Sequence, residues 1–73
     1  MSRFDYRGDR VKKAFEKLGY SDNGGTGHQK MKKVDDPSKM VVFPRSGEVK
    51  TTLLRRILRE NGISMKEFEA VYK

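Results

Sequence analysis

The segment from Gly24 to Lys33 constrains the fold of this chain more than any other stretch. It places three glycines before the only histidine and then continues as a basic run. Successive side chains of a strand point to opposite faces, so a strand over residues 27–33 would have two different faces. One face would carry the basic set His28, Lys30 and Lys32. The other would carry Gln29, Met31 and Lys33, with Met31 anchoring it to a core.

His28 can take or give a proton near neutral pH, because the ordinary pKa of histidine is about 6.5. The glycines before it let the backbone turn tightly and approach a ligand. The segment is not a phosphate-binding loop of the GxxxxGK[ST] type, since Lys30 does not follow directly on the last glycine. From spacing alone, His28 is either an ordinary surface residue or an acid–base catalyst.

The first helix is expected after a lead-in of residues 1–8, whose aromatic side chains are placed on the surface. Asp9 is its expected N-cap, and Gly19 is its expected end. Apolar residues recur between them at helical spacing, namely Val11, Ala14, Phe15 and Leu18.

A second helix is expected to be capped by Thr51 or Thr52 and closed by Asn61 and Gly62. Its apolar stripe consists of Leu53, Leu54, Ile57 and Leu58. The spacing of Ser64 and Glu67 is that of a capping box, which predicts a short final helix.

Three short antiparallel strands are expected between the two helices, over residues 20–23, 27–33 and 39–43. Pro44 should end the last strand, because proline has no N–H to donate to a ladder. Residues 34–38 are interpreted as a turn, with Asp35 and Asp36 as turn formers rather than metal ligands. The order predicts one α+β domain over residues 1–73, with the helices on the Met31 face and the His28 face open.

The charge balance favours an anionic partner. The chain has 17 Lys and Arg against 10 Asp and Glu, a net charge of +7, which suits nucleic acid, an acidic protein or a membrane surface. No apolar run approaches the roughly 18 residues that span a bilayer, and the N-terminus lacks the apolar region of a signal peptide, so we expect a cytoplasmic protein. The absence of cysteine excludes disulfides and thiolate metal sites, and no cofactor is expected.

An open basic sheet face suits a long charged polymer, because lysines can follow phosphates without an enclosing cavity. RNA suits a histidine best, since its 2′-hydroxyl is an internal nucleophile that a positioned base can activate without a metal. A second group that stabilises the charge on phosphorus stays open among Lys30, Tyr20, another residue and water.

Four short motifs occur in order along the chain. The first is a glycine followed by an aromatic residue after the first helix, in residues 17–20, and the second is a histidine after a Gly-containing turn, in residues 26–28. The third is a strand that ends in proline, in residues 42–44, and the fourth is a helix that ends in Gly-Ile-Ser, in residues 54–64. In this order they resemble the HicA toxins of prokaryotic toxin–antitoxin modules, over residues 10–71. The resemblance implies a double-stranded-RNA-binding-like fold, α-β-β-β-α, here with a short C-terminal helix.

The resemblance also implies a metal-independent endoribonuclease, an mRNA interferase with His28 as its acid–base catalyst. The candidate RNA contacts are Lys30, Lys32, Lys33 and Arg45, and the candidate backbone turn at the site is Gly25, Thr26 and Gly27. A second histidine that is common in the family after the proline is replaced by Arg45 and Ser46, which leaves His28 as the sole acid–base candidate. The implied partner is a HicB-type antitoxin that covers the active face and links the toxin to DNA only indirectly.

Two alternatives remain from other functional classes. The two C-terminal helices with Gly62 between them have the order of a DNA-binding helix-turn-helix, although the last helix carries Glu67 and Glu69 where base contacts would be needed. A non-catalytic double-stranded-RNA-binding module would use the same basic face without cleaving RNA.

Overall fold

The computed structural model describes residues 6–72. In chain order the elements are β1 Tyr6–Arg7, α1 Gly8–Lys17, β2 Tyr20–Asp22, β3 His28–Lys33, β4 Asp36–Pro44, β5 Glu48–Val49, α2 Thr51–Glu60 and α3 Met65–Val71. Strands β2, β3 and β4 form one antiparallel sheet in that order, while β1 pairs with β5. This arrangement confirms the predicted α+β fold of a helix, a three-stranded antiparallel sheet and two further helices.

The helices cover one face of the sheet through a core of aromatic rings. The Phe15 ring of α1 lies 5.9 Å from that of Phe43 in β4 and 5.6 Å from that of Phe68 in α3, measured between centroids. All three side chains are fully buried, as is Met31 of β3. Removing such large apolar surfaces from water is the main stabilising term for a chain of this size.

The alternation predicted for β3 is confirmed. Gln29 and Met31 are buried, whereas His28 and Lys30 are exposed on the opposite face. Strand β4 continues this pattern in register, because Gln29 pairs with the buried Phe43 and Lys30 pairs with the exposed Val42. The sheet therefore has one face in the core and one open face.

Strand β4 begins three residues earlier than predicted, at Asp36 rather than Lys39, so the turn is confined to residues 34–35. Lys32 pairs with Met40 but Lys33 pairs with Asp36, and this shift in register marks a bulge. The bulge accommodates the residues of β4 that have no partner in β3. Strand β4 can therefore include Pro37 and Ser38, two residue types that are typical of turns. Pro44 is the last residue of β4 rather than the first residue after it.

The prediction that residues 1–8 form a surface lead-in was wrong for its described part. Tyr6 is only 8% exposed and pairs with Val49, which gives the unpredicted strands β1 and β5. Its ring packs edge-on against Phe68 and Tyr72, at centroid distances of 5.8 and 5.0 Å. The prediction for Phe4 lies outside the described residues.

The predicted N-caps of the first two helices were also wrong. Helix α1 begins at Gly8 after the N-cap Arg7, and Asp9 lies in its first turn, where a carboxylate complements the helix dipole. Helix α2 begins at Thr51 after the N-cap Lys50. Gly8 is required at its position because a Cβ there would overlap the carbonyl oxygens of Pro44 and Arg45.

The capping box of α3 is confirmed. The Ser64 hydroxyl accepts a hydrogen bond from the Glu67 backbone N–H at 3.0 Å, and the Glu67 carboxylate accepts one from the Ser64 N–H at 2.9 Å. Helix α3 carries Phe68 into the core, so this local signal fixes an element on which the packing depends. No helix within residues 6–72 is long and apolar enough to cross a membrane.

Candidate functional site

The loop between β2 and β3 folds back over the start of β3. The Asn23 N–H donates to the Lys30 carbonyl at 2.7 Å, and the Lys30 N–H donates to the Gly24 carbonyl at 2.9 Å. These two hydrogen bonds continue the β2–β3 pairing past the end of β2. The loop is thereby closed directly beside His28, the first residue of β3.

Gly25 allows this loop to lie against the His28 backbone. Its φ is +112°, and a Cβ on Gly25 would overlap the His28 carbonyl oxygen. An L side chain is therefore excluded twice, by the backbone conformation and by the lack of space. Gly27 also has a positive φ, of +79°, but faces open space. Of the predicted turn residues, Gly25 makes the closest approach, and Thr26 is exposed at the tip.

Arg45 holds the same loop from the end of β4. Its guanidinium donates a hydrogen bond to the Gly25 carbonyl, and its backbone N–H donates to the Gly27 carbonyl at 3.4 Å. The residue after Pro44 thus connects the strand opposite His28 to the loop that precedes His28. Arg45 was predicted as an RNA contact, and this stays a prediction. The structure shows Arg45 hydrogen-bonded to the loop before His28.

Asp22 organises the loop from the side of α1. One of its carboxylate oxygens accepts hydrogen bonds from the Gly24 N–H at 2.7 Å and from Gln29 Nε2 at 2.6 Å. Its other oxygen lies 3.4 Å from the Nζ of Lys12. These partners, the Gly24 N–H first, lower the pKa of Asp22 below its ordinary value and keep it ionised.

Asp22 was not identified from the sequence, although one signal for it exists. An aspartate two residues before a glycine is typical of an Asx-turn, in which the carboxylate accepts the second N–H along the chain. The contact with Gln29 has no such local signal. It requires the β2–β3 register, which directs the amide of Gln29 to the edge of the core, where it is 1% exposed.

The open face places His28 in line with two of the predicted RNA-binding lysines. His28 and Lys30 are exposed and Lys32 is half-buried, all on alternate positions of β3. Within residues 6–72, neither lysine has a carboxylate oxygen within 4.0 Å of its ammonium group. Their charges are therefore available to an anion.

Lys33 does not lie on that surface. Its Nζ is 3.1 Å from a carboxylate oxygen of Asp35 and sits 5.8 Å from the centroid of the Tyr20 ring. The ion pair lowers the pKa of Asp35. The basic run of residues 30–33 thus divides between the two faces, as the alternation predicts, and Lys33 is separated from the other two lysines.

Tyr20, one of the alternatives for a second catalytic group, is held inside the core. Its hydroxyl donates to Oδ1 of Asn61 at 2.8 Å, and burial raises its pKa above the ordinary value. It pairs with Lys33 and so faces the helices, on the opposite side of the sheet from His28. Lys30 is the alternative that shares a face with His28.

The adjacent aspartates Asp35, in the turn, and Asp36, at the start of β4, make local contacts. Asp36 accepts a hydrogen bond from the Ser38 hydroxyl at 2.6 Å, and Asp35 pairs with Lys33. Over residues 6–72, no group of three or more His, Asp or Glu side chains surrounds a point that could hold a metal ion.

The residues around His28 lie within the part of the chain that matches a known protein family. The family model described as HicA toxin of bacterial toxin–antitoxin matches residues 8–63, a range that runs from the start of α1 to the turn before α3 and includes every residue of the site described above. Searches of curated proteins and of solved structures each found no match.

Proposed function

Because the chain belongs to the HicA toxin family of bacterial toxin–antitoxin systems, we propose that it is a metal-independent endoribonuclease that cleaves mRNA. His28 is the proposed acid–base catalyst. The observation that carries the proposal is the exposure of this histidine at the start of β3, on an open face with Lys30 and beside a loop fixed by Arg45 and Asp22. The hydrogen bonds of this loop with Arg45 and Asp22 hold the backbone next to His28, which supports a positioned catalyst.

The proposed reaction uses the RNA as its own nucleophile. An imidazole nitrogen of His28 takes the proton of a 2′-hydroxyl, the 2′-oxygen bonds to the adjacent phosphorus, and the bond from phosphorus to the 5′-oxygen breaks. The leaving 5′-oxygen takes a proton from water or from the protonated imidazole. The Lys30 ammonium would balance the negative charge that grows on the phosphoryl oxygens, since it shares the face of His28.

An antitoxin partner follows from membership of a toxin–antitoxin family. The proposed antitoxin is of the HicB type and covers the open face of the sheet. The net charge of +7 favours an acidic covering surface, because complementary charge raises the rate of association. An antitoxin at this position would exclude RNA from His28.

The test is cleavage of a purified mRNA in excess EDTA, with wild type beside His28→Ala. Loss of a positioned acid–base group should lower the cleavage rate about 10²–10⁴-fold. Lys66→Ala is the matched control, because it removes an exposed charge on α3 rather than on the sheet face. Circular dichroism of each variant establishes that it is folded.

Three results would contradict the proposal. Cleavage that persists in folded His28→Ala would exclude this histidine as the catalyst. Equal RNA binding by both proteins without any cleavage would indicate a non-catalytic RNA-binding module. Protection of duplex DNA without RNA cleavage would favour a helix-turn-helix formed by α2 and α3.

A further inference from the structure

The open face of the sheet carries two parallel rows of different chemistry. From His28 onward along β3, the cation row is formed by Lys30 and Lys32. The apolar row is formed by Pro44, Val42 and Met40 of β4, which pair with those three residues in that order. Directly paired side chains of an antiparallel sheet are about 4.5–5.5 Å apart at Cβ. Each cation therefore has an apolar neighbour beside it.

Two members of the apolar row are exposed, and Pro44 is half-buried. Met40 is 44% exposed and Val42 is 39% exposed. Within residues 6–72 the other large exposed hydrophobic side chain is Val34, which lies in the turn before β4. The helices pack on the opposite face, so no helix within residues 6–72 covers this row. Met40 and Val42 thus form a small exposed apolar strip directly beside the two lysines.

A single strand and a duplex would use these rows differently. A duplex keeps its bases paired and stacked inside and presents phosphates and 2′-hydroxyls, which have no favourable contact with an apolar row. A single strand can follow a row of cations with its phosphates while its bases turn to an adjacent apolar surface. The two rows lie side by side in register, and this arrangement matches a single strand.

We propose that the protein binds its RNA single-stranded, with phosphates along the cation row and bases against Met40 and Val42. This inference rests on the proposed function, because it takes RNA as the ligand of the face that holds His28. The apolar row has no strong hydrogen-bond donor or acceptor in its side chains, so it cannot read base edges. The protein should therefore accept most base sequences at these positions.

The test measures binding of a labelled RNA oligonucleotide and of the fully paired duplex of the same sequence. The full chain is used with His28→Ala in every protein, so that binding is measured without cleavage. Met40→Gln with Val42→Thr makes the apolar row polar at nearly constant shape. Val34→Thr is the matched control, since it makes the same change on an exposed side chain outside the row.

We expect the parent protein to bind the single strand more tightly than the duplex. The double variant should bind the single strand about tenfold more weakly, from the loss of about one buried methylene equivalent at each site. Its affinity for the duplex should not change. The slope of affinity against salt should also stay the same, because no cation is removed, whereas Lys30→Gln with Lys32→Gln should reduce that slope.

Unchanged binding of the single strand by the Met40 and Val42 variant would overturn the inference. Equal losses for single strand and duplex would overturn it too, because the apolar row would then contact a feature that both forms of RNA share. Cleavage by the wild type is measured separately. If the wild type cleaves RNA while the apolar row has no effect on binding, only this inference fails. If the binding pattern is as expected but no RNA is cleaved, only the proposed nuclease activity fails.

Discussion

Replacing Gly25 by alanine would test whether a close backbone approach holds the loop beside His28. Gly25 has a φ of +112°, and an added Cβ would lie under 3.0 Å from the His28 carbonyl oxygen, where ordinary contact begins at 3.4 Å. The positive φ costs an alanine roughly 1–2 kcal/mol. Relieving the overlap would move Gly25 away from the guanidinium of Arg45, with loss of a hydrogen bond worth about 0.5–1.5 kcal/mol. We expect the free energy of unfolding to fall by about 1.5–3.5 kcal/mol.

Gly24→Ala is the matched control for this prediction. Gly24 has a similar positive φ, of +81°, but no atom lies within 4 Å of its added Cβ. The free energy of unfolding of Gly24→Ala should therefore fall only by the roughly 1–2 kcal/mol that the positive φ costs an alanine. Urea unfolding followed by circular dichroism gives both values, and the change in the amide resonance of His28 reports the local displacement. If the two variants lose the same free energy and leave that resonance unmoved, the close approach at Gly25 does not hold the loop.

Three further predictions concern the groups around the site and the core. Tyr20→Phe should lower the free energy of unfolding by about 1–3 kcal/mol, measured in urea, because it leaves the buried Asn61 oxygen without the donor at 2.8 Å. The partners of Asp22, the Gly24 N–H first, hold the pKa of its carboxyl below the ordinary value. The ionised carboxylate therefore stabilises the fold at any pH above its ordinary pKa of about 3.9. This stabilisation is lost as the pH falls through the lower pKa of the folded state. Urea midpoints between pH 6 and pH 3 should therefore fall less steeply for Asp22→Asn than for the wild type. Phe68→Ala should cost roughly 3–5 kcal/mol in thermal or urea unfolding, because its ring is fully buried among other rings.

The secondary structure was easiest to predict where the sequence pattern depends on residues close together in the chain. Helical spacing in α1 and α2 and the alternation of β3 depend on residues a few positions apart, so both faces of β3 could be assigned before the structure was known. The capping box of Ser64 and Glu67 is equally local, and it located α3 correctly. The motif around His28 could be found for the same reason.

The features that could not be predicted depend on distant contacts. Strands β1 and β5 have two residues each and form only because Tyr6 pairs with Val49, which is distant in the chain. Two residues are too few to show the alternation by which a strand is recognised in a sequence. The start of β4 was missed because the residues Asp-Asp-Pro-Ser have the composition of a turn. The bulge opposite Lys33 includes the last three of them, Asp36, Pro37 and Ser38, in the strand. The hydrogen bond from Arg45 to Gly25 is likewise a tertiary contact, between residues that are 20 positions apart in the chain.

The contacts between β1 and α3 have a consequence for synthesis of the protein on the ribosome. The Tyr6 hydroxyl donates to a Glu69 carboxylate oxygen at 3.0 Å, and these partners are 63 positions apart. A chain that emerges N-terminus first thus makes His28 and its strands well before it makes Phe68, which completes the core. We expect a nascent chain interrupted before Phe68 to contain the whole His28 loop without a stable fold, and therefore to be open to proteolysis. Maturation of the site would then follow the synthesis of α3 rather than that of β3.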